Sequence, residues 1–238
     1  MNPATAVPTM KHCGPVKSRV FICAVLVCAL ILWAGDASAV YTPNPAGRWE
    51  PNRFFLAGDF QFNDKDIDPG GSVDNMAGFF ARPTYSVARN VVIYGMLGVQ
   101  TADRLDAGFA GGFGLQGAYV LPRAREWAIG GSFEFLHWDS DFSHPNCSPR
   151  GCPAPRSINW DEFQFAPAVS YEIRTAPEWT PYAGMLFDFV DAHGSISERN
   201  PVGLLFGTNF DPTPHVRLDG QFRVINETGF LLSAGYLF

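Results

Sequence analysis

The last eleven residues, Thr228 to Phe238 (TGFLLSAGYLF), constrain the fold more than any other stretch. Reading backwards in twos from Phe238 gives Tyr236, Ala234, Leu232 and Phe230, all apolar or aromatic. The interleaved Leu237, Gly235, Ser233 and Leu231 are smaller and less uniform. A period of two belongs to a β-strand, whose successive side chains point to opposite faces. A strand that stops on an aromatic residue must be paired or buried to its last position. A closed barrel meets that need by joining its last strand to its first.

Composition agrees with many short strands. The chain has 238 residues, 47% of them apolar, with 24 Gly, 19 Pro and 14% aromatics. Mean hydropathy is −0.00, as expected where only alternate residues meet lipid, and unlike a helical membrane bundle.

One continuous apolar run exists, Val20 to Trp33. It follows Lys11, Lys17 and Arg19 and precedes the small-x-small triplet Ala37-Ser38-Ala39. That is the order of a secretory signal peptide, and the run is short of the roughly 20 residues a spanning helix needs. Residues 1–39 are therefore expected to be a cleaved leader. Cleavage leaves 14 basic and 22 acidic residues, a net charge of −8 with no basic cluster, which argues against nucleic acid as a partner. Of five cysteines, Cys13, Cys23 and Cys28 leave with the leader. Cys147 and Cys152 remain and bracket a Pro/Gly turn (CSPRGC), an expected disulfide in an oxidising compartment.

Residues 40–52 read as an extended periplasmic lead-in, with a plug that includes Trp49 and Pro51 as the alternative, and residues 53–238 as the barrel. Ten strands follow from the alternation, with eight as the alternative count. Their outward faces carry Phe54, Leu56 and Phe60; Phe79 and Tyr85; Ile93, Leu97 and Val99; Phe109, Phe113 and Tyr119; and Trp127, Ile129 and Phe133. The later strands present Phe163, Phe165 and Tyr171; Trp179, Met185 and Phe189; Leu204 and Phe206; Leu218 and Phe222; and Phe230 and Tyr236. An even count suits a bacterial single-chain barrel. Asp64 to Asp74 and Asp139 to Ser157 read as long loops on one rim, and short Pro- or Arg-bearing turns fall on the other. Tyr85, Tyr119, Trp127, Tyr171, Trp179 and Tyr236 are outward positions near the short turns, the placement of an aromatic girdle.

The inward positions include Asp59, Arg82, Glu134, Glu162, Asp188, Arg217, Asp219 and Arg223. A soluble barrel would be apolar inside and polar outside, the inverse of this pattern. Charges of both signs predict an ion-pair network filling a narrow lumen, as in other small barrels.

Val92-Ile93-Tyr94-Gly95-Met96-Leu97-Gly98-Val99, Thr180-Pro181-Tyr182-Ala183-Gly184 and the closing Gly235-Tyr236-Leu237-Phe238 resemble the small bacterial outer-membrane β-barrels of the opacity-protein type. The resemblance extends loosely over Phe54 to Phe238, and its motifs are those of barrel strands rather than of chemistry. It implies an outer-membrane location, outer-membrane lipid and the barrel-insertion machinery as partners, and Tyr236 and Phe238 as the insertion signal. Members of that family commonly have eight strands, and ten departs from that.

Three functions remain open at this stage. The first is a structural or interaction barrel whose loops meet an extracellular ligand that the sequence does not identify. The second is a narrow porin-like channel. The third is an omptin-like or lipid-modifying hydrolase at the extracellular loops, for which Asp139-x-Asp141 and Asp191-x-His193 are the candidate groups. No cofactor is expected.

Overall fold

Every strand read from the alternation forms. The computed structural model describes residues 44–68, 71–103, 105–141, 157–192, 196–198, 201–225 and 227–238. In chain order the strands are β1 (Phe54–Asp68), β2 (Gly71–Ala88), β3 (Val91–Ala102), β4 (Leu105–Val120), β5 (Trp127–Asp141), β6 (Ser157–Tyr171), β7 (Trp179–Ala192), β8 (Ile196–Glu198), β9 (Val202–Thr213), β10 (Val216–Val224) and β11 (Glu227–Leu237). Apart from the three-residue β8, neighbours in sequence pair antiparallel around the ring, and β9 follows β7. The ring closes where β11 pairs with β1, from Phe55↔Leu237 to Lys65↔Glu227. The fold is a closed, up-and-down, ten-stranded antiparallel barrel.

The two faces differ as the alternation requires. Phe79, Leu97, Phe109, Phe113 and Phe222 each stand at least half exposed on the outside, while Asp59, Gln61, Arg82, Glu134 and Arg223 are buried inside. Only a hydrocarbon surrounding stabilises such an inversion, and only closure spares its backbone unpaired groups. The apolar band has visible limits. Its upper row is Phe135, Phe163 and Phe189, cross-strand neighbours on β5, β6 and β7. The next outward row is His137, Asp161 and Asp191. From Trp127 to His137, β5 rises about 25 Å at the usual strand tilt, the height of an outer-membrane apolar band.

Three sequence expectations need correction. Asp64 to Asp74 is not a loop, because β1 continues to Asp68 and β2 starts at Gly71. The pairing absorbs a bulge between Asn63 and Lys65, where Asn75 takes a positive φ of 54° and its N–H donates to Asp64 Oδ1 at 2.9 Å. Strand that extends beyond lipid needs no apolar face, so DKDID carries no alternation signal. Asp139 to Ser157 shortens likewise, with Asp139↔Asn159, Ser140↔Ile158 and Asp141↔Ser157 paired. The lead-in is the third: Asn44, Pro45, Ala46 and Gly47 are buried, not extended in the periplasm.

β8 connects parts of the ring that are not neighbours. It pairs with β7 through Asp191↔Ser197 and with β1 through Ile67↔Glu198. Since β9, β10 and β11 lie between β7 and β1 in the ring, β8 ties the loop-side rim together across their ends.

Candidate functional site

The candidate site is the barrel interior with its two mouths. At its centre is Lys65, which is fully buried. Its Nζ lies 2.7 Å from Glu162 Oε1, 2.5 Å from Asp188 Oδ2 and 3.6 Å from Glu227 Oε2. These groups come from β1, β6, β7 and β11, so one ammonium cross-links four strands. Arg223 extends the layer, with Nη1 donating to Glu227 Oε1 at 2.7 Å and Nη2 donating to Gln164 Oε1 at 3.0 Å. Buried ions stabilise a fold only when their partners are met, and here each cation meets acceptors on several sides.

A second layer lies nearer the short-turn rim. Arg82 Nε donates to Asp59 Oδ2 at 2.6 Å, and its Nη2 donates to Asp59 Oδ1 at 3.0 Å and to Ser233 Oγ at 3.1 Å. Asp219 accepts from Tyr182 Oη at 2.8 Å and from the amide of Asn209. Glu134 accepts from Tyr94 Oη at 2.8 Å. The opposite part of the interior is apolar: Phe80, Met96, Leu136, Trp138, Trp160 and Val190 pack in one cluster. Trp138 and Trp160 face each other at 6.2 Å between ring centroids, and Trp160 Nε1 donates to Glu162 Oε2 at 3.1 Å. The lumen is therefore filled from both sides.

The lead-in seals the short-turn mouth. Gly47 N–H donates to Asn44 O at 2.8 Å, forming a tight turn inside the barrel. Gln116 Nε2 donates to Asn44 O at 2.9 Å, and Ser170 Oγ donates to Ala46 O at 2.9 Å. Arg48 pairs with Glu172 and donates to the carbonyls of Arg125 and Glu126 at 2.7 Å each. The barrel wall is cut to fit this turn. A Cβ at Gly130 would lie 2.7 Å from both Ala46 Cα and Pro45 O. Between the turn and Arg82, a cavity of about 10 Å³ remains, lined by Asn44, Trp49, Arg82, Asp219 and Ser233. That is room for no more than about one water.

Of the inward residues expected from sequence, Asp59, Arg82, Glu134, Glu162, Asp188, Asp219 and Arg223 are buried in the interior. Arg217 is not among them. It sits at the short-turn rim, bound to Asp211 by two contacts of 2.8 Å and stacked over Trp49 at 4.7 Å. Sequence reading missed Lys65 and Trp160, and it held the lead-in as a plug only as the alternative, without locating the Asn44–Gly47 turn. The available signal was a lone cation among acids in DKDID, together with an apolar ring just past the expected loop.

On the loop side, Asp139 and Asp191 stand exposed on the outward face of β5 and β7, two strands apart. Asp139 Oδ2 lies 3.2 Å from His137 Nε2, and His137 Nδ1 lies 2.7 Å from Asp161 Oδ1. This arrangement faces the surround and does not line a cleft. His193, Cys147 and Cys152 lie outside the described residues. At the other rim, the rings of Tyr85, Tyr119, Trp127, Tyr171, Trp179 and Tyr236 all sit on the outer face. Four of them sit in ring pairs: Trp127 with Tyr171 at 4.8 Å, Trp179 with Phe210 at 4.5 Å, and Tyr236 with Phe238 at 5.0 Å.

No protein-family model matches the chain, and no curated protein does. Solved structures similar to it include the translocator domain of the autotransporter NalP from Neisseria meningitidis. That likeness has a TM-score of 0.48 at 9% identity and covers 93% of this chain and 97% of that one. An outer membrane channel from Pseudomonas putida F1 gives a TM-score of 0.44 at 10% identity, over 83% of this chain and 99% of that one. Ail, the attachment invasion locus protein of Yersinia pestis, gives 0.30 at 10% identity, over 79% of this chain and 100% of that one.

Proposed function

We propose that this chain is an outer-membrane β-barrel that passes no solute and works through its loop-side surface, as a structural or interaction protein. The observation that carries the reading is the filled interior: the Lys65 layer, the Arg82–Asp59 layer and the Asn44–Gly47 turn stand one above another, with about 10 Å³ left beside Arg82. A barrel built this way offers the outside only its rim. Strands β1, β2, β5, β6 and β7 carry residues beyond the apolar band, and that extension is what a partner would meet.

Within this reading, residues 1–39 direct export and are removed, and a Cys147–Cys152 bridge stiffens the longest loop. The outward tyrosines and tryptophans anchor the barrel at the periplasmic boundary. The ten strands form a larger ring than the commonly eight-stranded opacity-type proteins, whose strand motifs the chain shares.

Topology gives the test. Cysteine placed at Asp141 on the loop side should react with a membrane-impermeant maleimide on intact cells. Cysteine placed at Arg123 in a short turn should react only after the outer membrane is opened. Equal labelling of both on intact cells would refute this orientation.

A further inference from the structure

The short-turn rim holds a built cationic trough. Arg89 lies in the β2–β3 turn and Arg125 in the β4–β5 turn, which are adjacent because β3 pairs with β4. The two arginines line both of two adjoining open cavities, of about 620 and 510 Å³, that also share Asn90 and Val120. One cavity reaches inward to Trp49 and Glu50, and the other outward to the lipid-facing ring of Tyr119. Among the described residues, neither Arg89 nor Arg125 has an acidic partner, nor does the neighbouring Arg123; the nearby Glu126 is held by Arg174. In a mature chain of net charge −8, unpaired cations gathered at one membrane boundary are out of balance with the rest.

The backbone beneath them is fixed. Asn90 N–H donates to Trp49 O at 3.0 Å, Trp49 N–H donates to Asn90 Oδ1 at 3.1 Å, and Ala118 N–H donates to Asn90 O at 2.9 Å. Asn90 itself has a φ of 59°, which pins the turn that presents Arg89. Across the trough, Ala124 N–H donates to Leu121 O at 3.2 Å and Trp127 N–H to Ala124 O at 2.9 Å, setting the turn that presents Arg125. The guanidinium pair therefore stands on two braced turns beside an aromatic that meets acyl chains.

We infer that this trough binds the headgroup of an anionic phospholipid from the short-turn leaflet, its phosphodiester between Arg89 and Arg125 and one acyl chain along Tyr119. Guanidinium forks match phosphate oxygens in geometry, and basic pockets beside membrane-spanning segments hold anionic headgroups. Charge and position select this occupant: the trough is cationic, it opens at the girdle, and its outer wall is apolar.

The test uses the folded barrel in detergent micelles, confirmed by heat-modifiable mobility, with retained lipid read by native mass spectrometry. Titration with phosphatidylglycerol and with phosphatidylcholine of the same chains should show about tenfold preference for the former. The double variant Arg89→Ala, Arg125→Ala should lose that preference and still fold, because neither side chain has an internal acid to leave behind. Arg123→Ala removes a cation from the same turn as Arg125, one that lines neither cavity and holds no acid among the described residues, and it should keep the preference. Inorganic phosphate and glycerol 3-phosphate, which lack chains, should not displace the lipid. Equal retention of both lipids overturns the inference, as does loss of preference in Arg123→Ala, which would make the effect a diffuse field. Displacement by either soluble phosphate overturns it too, by making the occupant a free anion.

Discussion

Phe238, the last residue, donates its backbone N–H to the carbonyl of Phe54, the first residue of β1, at 2.8 Å. Their rings also meet, at 5.7 Å between centroids. The two ends of the barrel-forming chain thus join in one hydrogen bond, at the position where an open sheet would leave unpaired edges in lipid.

Deleting Phe238 removes that bond and the ring contacts to Phe54 and Tyr236. Export should continue, since the proposed leader, residues 1–39, is untouched, but insertion should fall several-fold, with protein accumulating in the periplasm or being degraded. Heat-modifiable protein counted in the outer-membrane fraction checks this. Wild-type levels of folded protein would show that closure does not need the last residue.

Lys65 should be the most sensitive interior position. Lys65→Met leaves Glu162, Asp188 and Glu227 buried without their shared ammonium, Glu227 keeping Arg223. Removing one side of a buried ion pair costs about 3–5 kcal/mol, and urea unfolding in micelles should register a loss of that order. Adding Glu162→Gln to Lys65→Met should recover part of it. A Lys65→Met barrel as stable as wild type would mean that the carboxylates are satisfied without the ammonium.

Gly130 packs against both the lead-in and the neighbouring strand, because a Cβ there would lie 2.7 Å from Ala46 Cα, Pro45 O and Gly117 O. Gly130→Leu should expel the Asn44–Gly47 turn and also strain the β4–β5 ladder at Gly117, so barrels that still close are first selected by heat-modifiable mobility. Added protease should then cut the lead-in of the variant in micelles and spare that of the wild type. Equal resistance would place the seal elsewhere, for instance on Arg48 and its contacts with Glu172 and the 125–126 carbonyls.

The barrel was legible where lipid imposes alternation. From Phe54 to Phe62 and from Val216 to Val224, each outward residue has to be apolar, so parity alone reveals the face and the register. Beyond the lipid that constraint ends. Lys65 and Trp160 were lost because DKDID and SINWD alternate against water, where either face can be polar. The Asn44–Gly47 turn was lost for another reason: its partners, Gln116 and Ser170, lie 72 and 124 residues away from the atoms they bind, and no local pattern announces them. β3 shows a milder ambiguity. Its inward Val92, Tyr94 and Met96 belong to the apolar cluster, so both its faces read as greasy while the barrel interior as a whole is polar.

Planar-bilayer recording of the refolded wild-type barrel in concentrated KCl tests the filled lumen most directly. With the Lys65 layer above and the Asn44–Gly47 turn below, current should stay at the bare-membrane baseline over many insertions, each verified by folded protein recovered from the bilayer mixture. Reproducible, discrete conductance steps from that preparation would contradict a side-chain-filled barrel and make the chain a channel.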